Sequence, residues 1–493
     1  MIAPHSFRVS WFAASLLMVS ASIHGQDRQG KPPNILYIMS DDHATSAVGA
    51  YQGRLKDFAP TPNIDSIARQ GMRLNNVFCN NSICTPSRAS IITGQYSHVN
   101  GIRTLRGSLK PESQSFVSGL EKAGYNTAVI GKWHIASAPR FFDHYEVLPG
   151  QGAYFNPRFS RNGQQTKYEG YCTDIITELS LDWLKSVDKE APFFLMCHHK
   201  APHGKWEYAP RHAKMFADVE IPMPPTVHDG FEHRSTALAK HERTLLFNSE
   251  RMRKTWPTGT LDLDGMSDRQ KVEVGYQKYV KEYLRCVAAV DEGVGRLLGY
   301  LEEQGLADDT IVIYTSDQGM FLGEHGYIDK RLILEESLRM PFLVRYPGRI
   351  EAGSANDAMI VNVDFAETIL DYAGAEIPAD MQGRSFRPLL EGRKVEDWRR
   401  SMFYAYWGGL TRHYGVRTER YKLLWHHTGE RDFFDLQTDP LEVKSRIDDP
   451  EYADRVQELT QEFERLRLEV KIERKDLPGS ASPANPDRRR RKR

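Results

Sequence analysis

Five short apolar runs restrict the folds open to this chain more than any other feature. At 35–39, 127–130, 193–197, 311–315 and 342–346 the residues are largely aliphatic, β-branched or aromatic, and period-two alternation is missing. A strand with one wet face alternates, whereas a strand covered on both faces reads as an unbroken apolar run. Helical patterns at 64–71, 173–187 and 274–304 fall between the runs. The order predicts an α/β fold with a large, mostly parallel sheet sandwiched by helices. At 493 residues the chain is long enough for that core and a smaller satellite domain.

Polar residues gather where four of these runs stop. The first leads into Asp41-Asp42 and the second into Lys132 and His134. The third leads into Lys200 and His203, and the fourth into Asp317-Gln318. Ligands of open α/β sheets bind beyond the carboxyl ends of the strands. Chance accounts for one such cluster; four predict a single shared site.

Beyond the polar, linker-like stretch 389–398, short strands are expected at 402–406, 414–417 and 421–425, followed by an amphipathic helix at 451–470. The reading divides the chain into a catalytic domain, 26–395, and a small α+β domain, 396–475. The Pro/Ser/Ala-rich end, 476–493, finishes RRRRKR and is expected to be disordered. At the other end, Arg8 and the apolar stretch 9–21 precede small residues, the pattern of an export signal over 1–25. That stretch is shorter than the roughly 20 residues needed to span a bilayer, and no later segment is apolar enough to try. Lys+Arg and Asp+Glu both number 65, which argues against nucleic acid as a partner. The five cysteines, at 79, 84, 172, 197 and 286, form no CxxC pair, and their odd number leaves at least one outside any set of intramolecular disulfides.

Cys84-Thr85-Pro86-Ser87-Arg88 opens a segment that reads as helix, with the proline just inside its start. Free N–H groups there favour an anion, and Arg88 adds a fork suited to a tetrahedral oxyanion. These residues alone leave a thiol nucleophile and an incidental cysteine both open. Asp41-Asp42 alone would read as a loop cap. With Asp317-Gln318 they offer hard oxygen ligands, suited to Ca²⁺ or Mg²⁺ rather than zinc.

Cys84 to Arg88, continued by Ala89-Ser90-Ile91-Ile92-Thr93-Gly94, resembles the signature of the type I sulfatases, members of the alkaline phosphatase superfamily. The likeness takes in Pro62-Asn63-Ile64-Asp65, Gly131-Lys132-Trp133-His134, Lys200-Ala201-Pro202-His203, Ser316-Asp317-Gln318-Gly319, Gly323-Glu324-His325-Gly326 and Asp329-Lys330, spanning roughly residues 34–440. It implies that a maturation enzyme oxidises Cys84 to formylglycine (3-oxoalanine). It also implies one Ca²⁺ held by Asp41, Asp42, Asp317 and Gln318. Many relatives have Asn where Gln318 stands, so this ligand departs from the family by one methylene.

The resemblance further assigns Arg88, Lys132 and Lys330 to the sulfate, His203 to protonation of the leaving alcohol and His134 to assisting sulfate release. Splitting one difficult hydrolysis into two steps is the purpose of covalent catalysis. Lys200 and His413 are assigned to substrate; His325 either contacts substrate or holds its loop. Trp133 and Trp206 flank these motifs and could stack on a sugar face; packing is the preferred reading of both. The expected activity is hydrolysis of a sulfate ester on a glycan by an exported, periplasmic or secreted enzyme, with bacterial polysaccharide sulfatases and glucosamine-6-sulfatases most alike. Two rivals remain: a phosphonate or phosphate ester hydrolase of the same superfamily, and an inactive glycan-binding relative.

Overall fold

Both faces of the first strand are dry. Along β1 (Asn34–Ser40), Ile35, Tyr37 and Met39 enter one apolar cluster, while Leu36 and Ile38 enter another on the opposite face. Burying each such side chain contributes about 1.5–3 kcal/mol, and this explains why the run shows no alternation. The computed structural model describes Met1 and residues 31–479. Four more strands complete the centre of a ten-stranded sheet: β2 (Asn126–Lys132), β3 (Phe193–His198), β4 (Thr310–Ser316) and β5 (Phe342–Arg345). They lie in the order β5-β4-β1-β3-β2, with β5 antiparallel to β4 and the rest parallel. An apolar run carries no mark of strand direction, so β5 is legible as a strand but not as a reversed one.

Register decides where the site lies. Met39 pairs with His198 and Ser40 with Ser316, so β1, β3 and β4 end at one level. Gly131 pairs with His198, bringing Lys132 to the same edge.

Three helices matter to the site: α1 (Cys84–Thr93), α2 (Leu245–Lys254) and α3 (Asp268–Glu303). The last starts six residues before the expected 274, because Ser267 and Gln270 close a capping box ahead of its polar first turn. Its Tyr276, Tyr279, Tyr283 and Val287 cover the Leu36 face of the sheet.

A separate antiparallel sheet follows, with strands Ser401–Tyr406, His413–Thr418, Tyr421–His426 and Arg431–Asp435. The fourth strand adds to the three expected. Helix Ala453–Glu469 packs Phe463 on this sheet against Phe403 and Trp425. Met402, Phe403 and Phe434 belong to the same cluster as Ile35 and Tyr37, so the stretch 389–398 joins two sheets with a common core. Among the described residues, those from 32 to 479 form one compact unit.

The expected export signal, 1–25, lies outside the described residues, apart from Met1. Of the expected tail, 476–479 are described, and Asp476 pairs with Arg103 at 3.1 Å. The remainder lies outside.

Candidate active site

Helix α1 begins at Cys84, after Ile83 in extended conformation, and all ten of its residues are buried. The thiol therefore sits at a helix start against the ends of β1 and β4. Its Sγ is 3.4 Å from Asp41 Oδ1 and 3.9 Å from Gln318 Nε2. Gly131 holds φ at 106°, and a Cβ there would lie 2.0 Å from the His198 carbonyl; only glycine lets β2 turn into Lys132 at this place. Asp42, His134, Asp329 and Arg331 hold positive φ of 69°, 58°, 80° and 96° without being glycine. Such backbone strain gathers where the surrounding fold over-determines a functional group.

Three cations and three carboxylates interlock, all of them buried. Arg88 donates from Nε to Asp317 Oδ2 at 2.9 Å and from Nη1 to the Lys132 carbonyl at 2.5 Å. Lys132 Nζ bonds Asp41 Oδ2 and reaches Gln151 Oε1 at 2.5 Å. Lys330 Nζ lies 2.6 Å from Asp42 Oδ1. Burial raises Asp317, but Arg88, Lys132 and Lys330 together hold it below the usual carboxylate range. Burial pushes Asp42 up to about 6 against the pull of Lys330. It pushes the Cys84 thiol up to about 12, far from a thiolate at neutral pH.

The donor set fits a hard divalent cation. Oxygens of Asp41, Asp42 and Asp317 lie within 4.8 Å of one another. Gln318 donates Nε2 to Asp42 while its buried Oε1 has no partner. An amide is assigned from its bonding network, and turning this one over would add a fourth oxygen to three carboxylates.

The two site histidines differ in placement. His203 bonds the Gly204 carbonyl through Nδ1 at 2.6 Å, which leaves Nε2 facing the site, 3.7 Å from Asp42 Oδ2. Burial, then Lys132 and Lys330, hold its pKa well below the ordinary histidine value. His134 is tied down by backbone, its carbonyl accepting from Thr85 Oγ1 at 2.8 Å, and its buried Nδ1 is unpartnered. Burial, then Lys132 and Arg88, push it down to about 2.

A cavity of about 310 Å³ opens over this floor, and Asp42, Cys84, Lys330 and His203 reach its wall. Arg88, Lys132 and His134 lie behind the wall, and Lys200, His325 and His413 do not reach it either. The Lys200 ammonium lies over the Tyr154 ring at 4.7 Å. His325 is engaged by Asp229 at 2.9 Å and Arg234 at 3.0 Å. His413 bonds the Thr411 carbonyl and is enclosed by Tyr404, Tyr406 and His426. Trp133 packs on Phe141 and Phe142, as expected of a core residue. Trp206 packs on Tyr279 and also lines the cavity.

Sequence reasoning missed much of the wall. Gln151, Lys205, Arg243, Asn248, Arg251 and Arg331 all line it. Arg331 adjoins the Asp329-Lys330 motif, whereas Arg243, just before α2, and Arg251, within it, share no helix face that a spacing would mark. Gln151, in a loop between two glycines, offers no signal.

A floor of converging cations, backed by carboxylates suited to a metal, is an arrangement that can stabilise a tetrahedral anion as its charge spreads during ester cleavage. The class defined is thus a hydrolase of oxyanion esters. The sulfatase family matches residues 33–375, and the family of the N-sulphoglucosamine sulphohydrolase C-terminal region matches residues 323–469. This chain belongs to the sulfatase family and hydrolyses sulfate esters. It is 39% identical to an N-acetylglucosamine-6-O-sulfatase of Bacteroides thetaiotaomicron, covering 92% of this chain and 90% of that protein. To the human N-acetylglucosamine-6-sulfatase it is 28% identical, over 76% of this chain and 67% of the relative. A solved structure in complex with its substrate D-glucosamine-2-N,6-O-disulfate superposes with a TM-score of 0.83 at 39% identity, covering 90% and 98% of the two chains. A phosphonate monoester hydrolase of Silicibacter pomeroyi shares the fold, with a TM-score of 0.71 at 21% identity, over 90% of this chain and 97% of that one.

Proposed function

We propose that the chain removes the 6-O-sulfate of a glucosamine-type sugar in a sulfated glycan, using formylglycine made from Cys84 and one calcium ion. The observation that carries the substrate is the 39% identity to the Bacteroides N-acetylglucosamine-6-O-sulfatase, maintained over 92% of this chain. The cavity of about 310 Å³ above Cys84 is of the size of small-ligand sites.

As a buried thiol donating to Asp41, unmodified Cys84 is a weak nucleophile at neutral pH; conversion by a maturation enzyme would supply a hydrated aldehyde in its place. Asp41, Asp42, Asp317 and Gln318 would hold the calcium ion, which supplies Lewis-acid polarisation of the sulfate. Arg88 and Lys330 hold the sulfate oxygens, Arg88 through its unpartnered buried Nη2. Lys132 keeps Asp41 in place and adds positive charge behind it. His203 has its Nδ1 fixed on Gly204, and its Nε2 carries the proton to the departing sugar oxygen. Burial first and the neighbouring cations second hold this imidazole neutral, and the arriving sulfate offsets the second. His134 takes the proton that restores the starting state. Substrate contacts come from the cavity wall rather than from Lys200, His325 or His413.

No helix among the described residues is long and apolar enough to cross a membrane. With the apolar stretch 9–21 this supports an exported enzyme.

The test is the mass of the tryptic peptide bearing Cys84, from protein made together with a maturation enzyme. A loss of about 18 Da, for CH₂SH becoming CHO, is expected of the activated nucleophile. An unmodified thiol in fully active protein would overturn the formylglycine mechanism.

A further inference from the structure

The catalytic floor is already balanced in charge, three cations against three carboxylates. The cavity wall is not. Lys205, Arg243, Arg251 and Arg331 face the cavity; of its two carboxylates, Asp42 is held by Lys330 on the floor and Asp329 lies among these wall cations. Asp329 is engaged by Arg331 at 2.8 Å, by Lys330 at 3.5 Å and by Arg243 at 3.8 Å. Arg331 is further held by the Tyr406 hydroxyl at 2.8 Å.

Arg251 and Lys205 have no such partner. Among the described residues no carboxylate lies within ion-pair distance of either, and each rests instead beside an aromatic ring. Arg251 Cζ is 5.8 Å from the Phe247 centroid, one turn back on α2, and Lys205 Nζ is 5.7 Å from that of Trp256. A ring positions a cation while leaving its N–H groups free to donate. Arg253, two residues further along α2, shows the contrast: it pairs with Glu250 at 3.2 Å and Asp264 at 3.4 Å. Lys254, at the exposed end of α2, is likewise without an ion pair, so what sets Arg251 apart is its place on the cavity wall. Asn248, three residues before Arg251 and on the same helix face, adds an amide to the wall. In the reading above the cleaved sulfate goes to Arg88, Lys330 and the calcium ion, which leaves Arg251 and Lys205 available to a second anion.

We propose that Arg251 and Lys205 form a subsite for a second anionic group of the substrate, beside the sulfate that is cleaved; this rests on the sulfatase reading above. The second group is a sulfate on the same sugar or a carboxylate on its neighbour.

Calorimetric titration of the Cys84→Ala protein, loaded with calcium, compares three ligands: N-acetylglucosamine 6-O-sulfate, glucosamine 2-N,6-O-disulfate, and a 6-O-sulfated N-acetylglucosamine joined to a uronic acid. At low salt the doubly anionic ligand binds about tenfold more tightly than the monosulfate, as one charge-assisted contact provides. Arg251→Gln with Lys205→Gln collapses that ratio, and Arg251→Lys restores part of it. Collapse with the disulfate assigns a sulfate on the same ring; collapse only with the uronate-bearing ligand assigns the neighbour's carboxylate. A ratio unchanged in the double variant, or no preference before mutation, overturns the subsite while leaving the sulfatase reading intact. Binding of none of the three, with no sulfate released by the matured protein, would sink both.

Discussion

Arg88 Nε donates to Asp317 Oδ2 over 2.9 Å, and neither side chain is open to solvent. One residue comes from the first turns of α1, the other from just beyond β4. The same guanidinium fixes the Lys132 carbonyl, so one side chain ties α1, β2 and β4 together beneath Cys84.

Replacing that guanidinium therefore has two effects. Arg88→Met should lower kcat/KM by about 10²–10³-fold, as the loss of one preorganised donor does. It should also destabilise the fold by about 3–5 kcal/mol, since Asp317 remains buried without its partner. Steady-state kinetics and chemical denaturation report the two losses separately.

If His203 protonates the departing oxygen, its importance depends on the leaving group. His203→Ala should reduce turnover of a sugar sulfate by about 10²–10⁴-fold, the usual range for general acid catalysis. With 4-nitrophenyl sulfate, whose phenolate leaves unaided, the reduction should be at least tenfold smaller. Equal losses on the two substrates would assign His203 to binding instead.

Chelation should abolish activity and lower the melting temperature together. Restoring Ca²⁺ at 100 times its dissociation constant should return about 2.7 kcal/mol of stability, also in unmatured protein, because the four oxygen ligands come from Asp41, Asp42, Asp317 and Gln318 rather than from Cys84. Gln318→Ala should raise the calcium concentration required for half recovery.

Glu367 predicts a pH effect remote from the site. Its Oε1 accepts from the Gly383 N–H at 2.6 Å and its Oε2 is buried without a partner. Burial, reinforced by Asp364, pushes this acid up to about 8 from an ordinary 4.5. The folded state therefore keeps a proton that the unfolded state releases. The associated stability is intact below pH 4.5 and is lost as pH rises through about 8, at about 1.4 kcal/mol per pH unit. Glu367→Gln removes this dependence. Thermal melts should show the variant gaining on the wild type between pH 5 and pH 8; a constant difference would refute the assignment.

Much of this molecule is legible in its amino-acid order. The runs at 35–39, 193–197 and 311–315 are β1, β3 and β4, because burial on both faces leaves its own signature in composition. The polar pairs behind them meet because parallel strands in register end at one level. The chemistry brought in by loops and by α2 is not legible in the same way. Gln151 and Arg251 reach the cavity through tertiary geometry, and no local pattern marks the loop residue at all. His325 and His413 show the converse. Each stands out in the sequence, yet Asp229 and Arg234 engage the first, and the rings of Tyr404 and Tyr406 enclose the second.

The most direct test is the release of inorganic sulfate from N-acetylglucosamine 6-sulfate by the matured, calcium-loaded protein, followed by ion chromatography. One sulfate per sugar, released by the protein and not by its Cys84→Ala variant, is the expected result. No sulfate from this sugar or its glycans, with turnover of a phosphonate ester by the same preparation, would contradict the account.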